Sequence, residues 1–155
     1  VLARLLQLAE VRAQDVALVI GCGTGYTPAV LSRLASTVVA LESDADLATR
    51  ASGLLAEQGA DNVAVVTGPL RDGYPTQAPY DLIIIDGGVQ EIPVALCNQL
   101  AEGGRLVAMV MDGAPGTMGR GVLVSRIGGG FSRRVGFDAA TPILPGFTLA
   151  PGFVF

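Results

Sequence analysis

The chain has no histidine and no tryptophan, and only two of its 155 residues are cysteine. Without an imidazole, neither Cys22 nor Cys97 has the usual general-base partner, and a serine-histidine hydrolase cannot be built from these residues. The thiols lie too far apart in sequence for metal-ligand spacing, so no metal is expected. Cys97 reads as a helix core residue and Cys22 as a small side chain in a tight loop, both reduced. Aromatic residues are sparse, three tyrosines and five phenylalanines, and they do not alternate with basic residues as a nucleic-acid stacking surface would. Ten basic against 14 acidic side chains give a formal charge of -4, which offers no general attraction to phosphate backbones; nucleic acid is not an expected partner. No apolar run approaches a membrane span, and the first residues carry neither a charged leader nor a cleavage pattern. No membrane partner is expected, and cytoplasmic residence is the default. Internal repeats and low-complexity stretches are absent from the sequence.

What is present is apolar and regularly punctuated. Half of the residues, 50%, are hydrophobic, enough for one substantial core, and residues 1–155 read as a single domain. An opening on Val1 rather than methionine suggests an upstream segment. The most informative stretch is Ala17-Leu-Val-Ile-Gly-Cys-Gly-Thr-Gly-Tyr26, where an apolar strand runs into closely spaced glycines and a new helical pattern. That order sets bare backbone beside a helix N-terminus, where a small molecule can lie against amide donors. A second apolar run, Thr37 to Leu41, closes on Glu42 at about the distance expected for the next strand of a βαβ unit.

Glycine spacing separates the readings that share this geometry. A dinucleotide fingerprint wants glycine at the first, third and sixth loop positions. Here the glycines are Gly21, Gly23 and Gly25, and Tyr26 takes the sixth place, where it would crowd a pyrophosphate. No Lys-Ser or Lys-Thr follows, so a triphosphate loop is excluded as well. A nucleoside cofactor remains, with an empty tight turn as the structural alternative.

Along the chain the pattern alternates. Val1 to Glu10 has Leu2, Leu5, Leu6 and Ala9 at helical spacing. Strands are predicted over Val16 to Ile20, Thr37 to Glu42, Val63 to Val66, Leu82 to Ile85 and Arg105 to Met111, the fourth ending in Asp86-Gly-Gly88. Helices are predicted from Thr27 or Pro28 to Arg33 or Leu34, from a cap at Ser43 or Asp44 to just before Gly59, and from Ile92 to Leu100, the last stopped by Gly103-Gly104. Five βα units imply a sheet covered on both faces. Gly121 to Ile127, a Gly128-Gly-Gly130 turn and Phe131 to Asp138 have a hairpin signature, which would add two antiparallel strands at one edge. The tail from Thr141 reads as irregular packing.

The run Ala17 to Leu31, Glu42, Asp61-Asn-Val-Ala-Val-Val-Thr-Gly68, Gly73-Tyr-Pro-Thr-Gln-Ala-Pro-Tyr-Asp-Leu-Ile-Ile84 and Leu100-Ala-Glu-Gly-Gly-Arg-Leu-Val107 together resemble the protein-L-isoaspartate O-methyltransferases. The glycine loop alone points only to the wider class of S-adenosylmethionine-dependent enzymes; the Gly-Tyr-Pro to Pro-Tyr-Asp phrase is much narrower. The resemblance implies an α/β, doubly wound, mixed seven-stranded sheet of Rossmann-like methyltransferase type with a C-terminal antiparallel hairpin. It implies S-adenosyl-L-methionine as cofactor and a protein or peptide bearing an isoaspartyl residue as partner. Gly21, Cys22, Gly23, Thr24 and Gly25 would run beside the methionine and ribose part of that cofactor. Glu42 would accept the two ribose hydroxyls, Ser43 would lie at the adenine, and Gly68, Pro69 and Leu70 would cover the other side of the base. Asp86 would face the departing methyl group and is the candidate catalytic residue. Each has a structural alternative: Glu42 as a solvated strand end, Asp86 as a turn initiator, Pro69 and Leu70 as packing. Tyr74, Pro75, Pro79 and Tyr80 read as framework.

Three stretches depart from the family pattern. Val19 stands where an acidic residue two places before the first glycine is usual, and Gly68-Pro69-Leu70 replaces a Gly-Asp-Gly phrase whose aspartate meets the adenine amino group. Each lost charged hydrogen bond costs about 1.5–3 kcal/mol where nothing replaces it. A Thr-Ala-Ala-like stretch is likewise replaced by Asp86-Gly-Gly-Val89. The leading expectation is therefore an isoaspartyl-type methyltransferase. An altered acceptor such as an amine or hydroxyl, or a degenerate methyltransferase fold kept as an interaction module with its apolar tail Phe147 to Phe155 serving a partner, are the alternatives. A nicotinamide-dependent oxidoreductase shares the strand, glycine turn and later acid.

Overall fold

In the computed structural model, which describes residues 1–149, the apolar run Val16–Ile20 forms strand β1 and lies at the centre of the sheet. It is preceded by helix α1 (Leu2–Ala9) and followed by α2 (Tyr26–Ser32), β2 (Thr37–Glu42), α3 (Ala45–Glu57) and β3 (Val63–Thr67). Strand β4 (Tyr80–Val89), α4 (Val94–Cys97), β5 (Leu100–Val110), β6 (Gly119–Ile127) and β7 (Gly130–Ala139) complete the order. The sheet runs β3-β2-β1-β4-β5-β6-β7. The first five strands are parallel, and β6 and β7 are antiparallel to their neighbours, as the hairpin signature predicted.

Side-chain alternation along β1 divides the core in two. Ala17 and Val19 point to the face covered by Leu5 and Ala9 of α1, Leu31 of α2 and Ala51 of α3. Leu18 and Ile20 point to the other face, where Leu70, Tyr80, Leu96, Leu100 and Phe147 pack. The first cover is helical because its residues recur at i, i+3 and i+4, one stripe of a 3.6-residue period. Helix α3 starts where expected: the Asp44 carboxylate accepts the Asp46 and Leu47 N–H groups at 2.9 and 3.1 Å, a standard N-cap. No helix among the described residues is long and apolar enough to cross a membrane.

The second cover departs from the sequence pattern. The helix predicted over Ile92 to Leu100 is a single turn, because Gln99 and Leu100 are drawn into the sheet: the Gln99 carbonyl accepts the Tyr80 N–H at 2.8 Å and Leu100 pairs with Tyr80. Gly103-Gly104 accordingly ends no helix but forms a bulge inside β5, where the register jumps from Tyr80/Leu100 to Leu82/Arg105. Between β3 and β4 there is no α-helix but two 3-10 turns, Leu70–Asp72 and Pro75–Gln77, so the βα alternation is broken there. Nor does β4 stop at Asp86. It continues to Val89 through a second register shift, and Gly88 pairs with Ile143 of the tail. The tail is partly core: Phe147 is 0% exposed, so it is not free for a partner, while the rest of the proposed partner segment beyond Leu149 lies outside the described residues.

Candidate functional site

Strand order fixes where a ligand crevice belongs. From β1 the chain adds β2 and β3 on one side and then returns to place β4 on the other, so the order reverses between β1 and β4. In open α/β sheets ligands bind outside the carboxyl ends of the strands at such a switch point. Gly21 follows β1, Glu42 closes β2, Gly68 follows β3, and Asp86-Gly87 lies in the irregular end of β4. All the strand ends singled out in the sequence thus converge on one edge.

Glu42 organises this edge. It is 6% exposed. Its Oε1 accepts the Gly23 N–H at 2.9 Å; its Oε2 accepts the Ser43 and Asp44 N–H groups at 2.7 and 3.1 Å and the Ser43 hydroxyl at 3.4 Å. Its backbone carbonyl takes the Gly68 N–H at 3.2 Å, while the Leu41 carbonyl takes the Gly21 and Cys22 N–H groups. The strand end is therefore no solvated carboxylate but a buried one held by three amides. A carboxylate offers about four lone-pair sites, and Oε1, with one partner, keeps acceptor capacity.

Asp86 is held from the opposite side. Its Oδ2 accepts the Thr27 hydroxyl at 2.6 Å. Burial raises its pKa above the ordinary carboxylate value, and the hydrogen bond from Thr27 opposes that rise without cancelling it. Cys22 lies near both carboxylates: burial first, then the charges of Glu42 and Asp86, push its thiol up to about 12. It is a protonated thiol, not a nucleophile. Thr27 was not singled out in the sequence. The available signal is its helical register, since Thr27 and Leu31 share the inward face of α2 and a threonine buried there must find an internal hydrogen-bond partner.

Other candidates sit apart. Thr24 and Gly25, with Tyr26, line a cavity of about 510 Å³ between α2 and α3, together with Leu54 and Leu55. That hollow is lined mainly by apolar side chains and contains neither Glu42 nor Asp86. Leu70 is 3% exposed within the core, and Pro69 is exposed. Val19 is fully buried on the α1–α3 face. The Gly73 to Asp81 phrase is braced internally: the Tyr80 hydroxyl donates to the Tyr74 carbonyl at 2.5 Å, and the Gln99 carboxamide accepts the Tyr74 N–H and donates to the Asp72 carbonyl.

The crevice fits a nucleoside cofactor at one end and not at the other. Beside Gly23, a Cβ would meet nothing within 4 Å, so open space adjoins the Glu42 carboxylate. At Gly21 and Gly87 the bare backbone is covered by Leu144 from the tail. A buried carboxylate with spare acceptor capacity thus borders open space, and the backbone further along the edge is covered.

A seven-stranded, mixed Rossmann-like sheet with this glycine loop and strand-end acid defines the methyltransferase fold. A solved protein-L-isoaspartate O-methyltransferase superposes with a TM-score of 0.83 at 26% identity, over 93% of this chain and 46% of the other. A solved counterpart from Plasmodium falciparum, described as a putative protein-L-isoaspartate O-methyltransferase in complex with S-adenosyl-L-homocysteine, gives 0.70 at 18% identity, over 91% of this chain and 71% of that one. The family model for protein-L-isoaspartate(D-aspartate) O-methyltransferase matches residues 1–118, and the chain belongs to that family. The Methanoculleus marisnigri protein-L-isoaspartate O-methyltransferase is 46% identical over 101 residues, which cover 65% of this chain and 46% of the relative. The chain spans about half the length of such curated relatives.

Proposed function

We propose that this chain binds S-adenosyl-L-methionine across the carboxyl ends of β1, β2 and β4 and supplies the methyl-donor half of an isoaspartyl O-methyltransferase. The observation that carries this is Glu42: a buried carboxylate oriented by three backbone amides, with spare acceptor capacity beside the open edge of Gly23. Family membership and the bound S-adenosyl-L-homocysteine of the Plasmodium falciparum counterpart support the same cofactor.

When bound, the cofactor provides an electrophilic methyl group on a sulfonium. Glu42 would accept the ribose hydroxyls in charge-assisted hydrogen bonds, which are shorter and stronger than neutral ones. The Gly21 to Gly23 backbone would border the methionine and ribose part, and Gly68 and Pro69 the base. An isoaspartyl carboxylate is already ionised near neutral pH, so no base is required, and alignment in a partly desolvated crevice supplies much of the acceleration. Asp86, whose pKa burial raises, would be the group at the acceptor side, positioned by Thr27. An amine or hydroxyl acceptor is the second reading, favoured by that same carboxylate, which would repel an anionic acceptor when ionised but could take a proton from a neutral one.

Incubation with methyl-labelled cofactor and a peptide carrying isoaspartate distinguishes these. Label appearing as a base-labile ester on the isoaspartyl peptide and not on its aspartyl twin is the expected result. Cofactor binding with no label on any carboxylate would reject the isoaspartyl reading and leave the donor half standing.

A further inference from the structure

The tail does more than pack. After β7 it crosses the carboxyl end of β4, where the Gly88 N–H donates to the Pro142 carbonyl at 2.8 Å and the Leu144 N–H donates to the Gly88 carbonyl at 2.9 Å, a one-residue parallel bridge between Gly88 and Ile143. This delivers Leu144 to the switch point between β1 and β4. A Cβ built on Gly21 would lie 2.9 Å from Leu144 Cδ1, and one on Gly87 only 2.5 Å from Leu144 Cγ, so the isobutyl group rests directly on the bare backbone of both. Gly21 follows β1 and Gly87 lies in the irregular last part of β4, the two strands that flank the crevice.

We propose that residues 141–146 are an internal plug whose Leu144 occupies the inner end of the nucleoside-cofactor crevice, so that cofactor binding and docking of this segment are mutually exclusive. The proposal rests on the cofactor reading above and adds a competitor to it. Its mechanical basis is an uneven attachment. Phe147 is a firm anchor: it is fully buried, its carbonyl accepts the Gln90 N–H, and Arg71 lies 5.8 Å from its ring centroid. Leu144 is only partly buried and is flanked by Pro142 and Pro145, which have no N–H to donate, so two backbone bonds to Gly88 tie this part to the strand. A lightly bonded segment hung from a buried anchor is a low-cost local opening. The plug lies beyond residue 118, where the match to the family model ends.

A closed plug lowers apparent affinity by the fraction of molecules that are open. Calorimetric titration with S-adenosyl-L-homocysteine should therefore give Leu144→Ala an affinity about tenfold or more above that of the unaltered chain. Leu149→Ala, on the exposed stretch beyond the anchor, should leave it unchanged. Hydrogen exchange of the unaltered chain provides a readout independent of any variant: saturating S-adenosyl-L-homocysteine should accelerate exchange at the Leu144 and Gly88 amides as their bonds to the Gly88 and Pro142 carbonyls open. Equal affinity of Leu144→Ala and the unaltered chain, with both amides as protected bound as free, would overturn the plug and leave the cofactor site intact. No binding to either form would overturn the cofactor reading, and the plug with it.

Discussion

At the residue scale, two carboxylates on the same sheet edge are tuned in different ways. Glu42 is held in place by three backbone amide donors, whereas Asp86 has one hydroxyl donor and a burial that raises its pKa. The consequence for Asp86 is measurable. Its ordinary value is 3.8 and its folded value is higher, so over that interval the native state binds protons that the unfolded chain has released. Stability from this group is complete below 3.8 and is lost as pH rises through the raised folded value. Asp86→Asn cannot ionise and keeps an oxygen for the Thr27 hydroxyl. Urea unfolding should find it more stable than the unaltered chain near neutral pH, with the difference closing in acid; an unchanged difference across the range would mean that Asp86 does not titrate as a buried group.

At the scale of elements, α1 is fastened to the sheet by one guanidinium. Arg105 on β5 is 7% exposed and donates to the Ala9 and Glu10 carbonyls at the end of α1, to the Asp81 carbonyl, and to both oxygens of Asp15 at 3.2 and 2.7 Å. Burial alone would raise Asp15; the hydrogen bonds from Arg105 and the Arg12 N–H outweigh it and hold the carboxyl below its ordinary value. Arg105→Ala strands a buried carboxylate and three carbonyls, and denaturant midpoints should report a loss of about 3–5 kcal/mol. A loss below about 1 kcal/mol, the range of exposed pairs, would show that water replaces the clamp. Nothing in the sequence marks Asp15 and Arg105 as partners, because they meet only through the fold. The strands and α1 to α3 were legible because each has one dominant period and a clear stop, such as Asp44 before α3 or Glu42 after β2. The β4–β5 region was not. Its glycine pairs, read as terminators, are bulges whose backbone is paired across the sheet or with the tail, and Gln99-Leu100 extends a helical pattern into a strand. Tertiary pairing overrides local pattern there.

At the scale of the molecule, among the described residues, α1, α2 and α3 cover one face of the sheet, and α4, short turns and the tail with its buried Phe147 cover the other. The patchwork face borders the crevice, so the tail that completes the core also reaches the ligand edge. The glycine loop and Glu42 were readable as a site because strand, turn and acid follow one another at fixed spacing. Leu144 was not, since it enters from more than a hundred residues further along the chain, and only the fold sets it on Gly21. Methyl-donor binding as proposed needs a nucleoside lying against Glu42, and amide chemical shifts locate a ligand directly. Titration of the nitrogen-labelled chain with S-adenosyl-L-homocysteine should move the Gly23, Ser43 and Gly68 amides in a saturable way while Leu34 and Gln58, on the groove between α2 and α3, stay still. Shifts confined to that groove, or none at millimolar ligand, would contradict it.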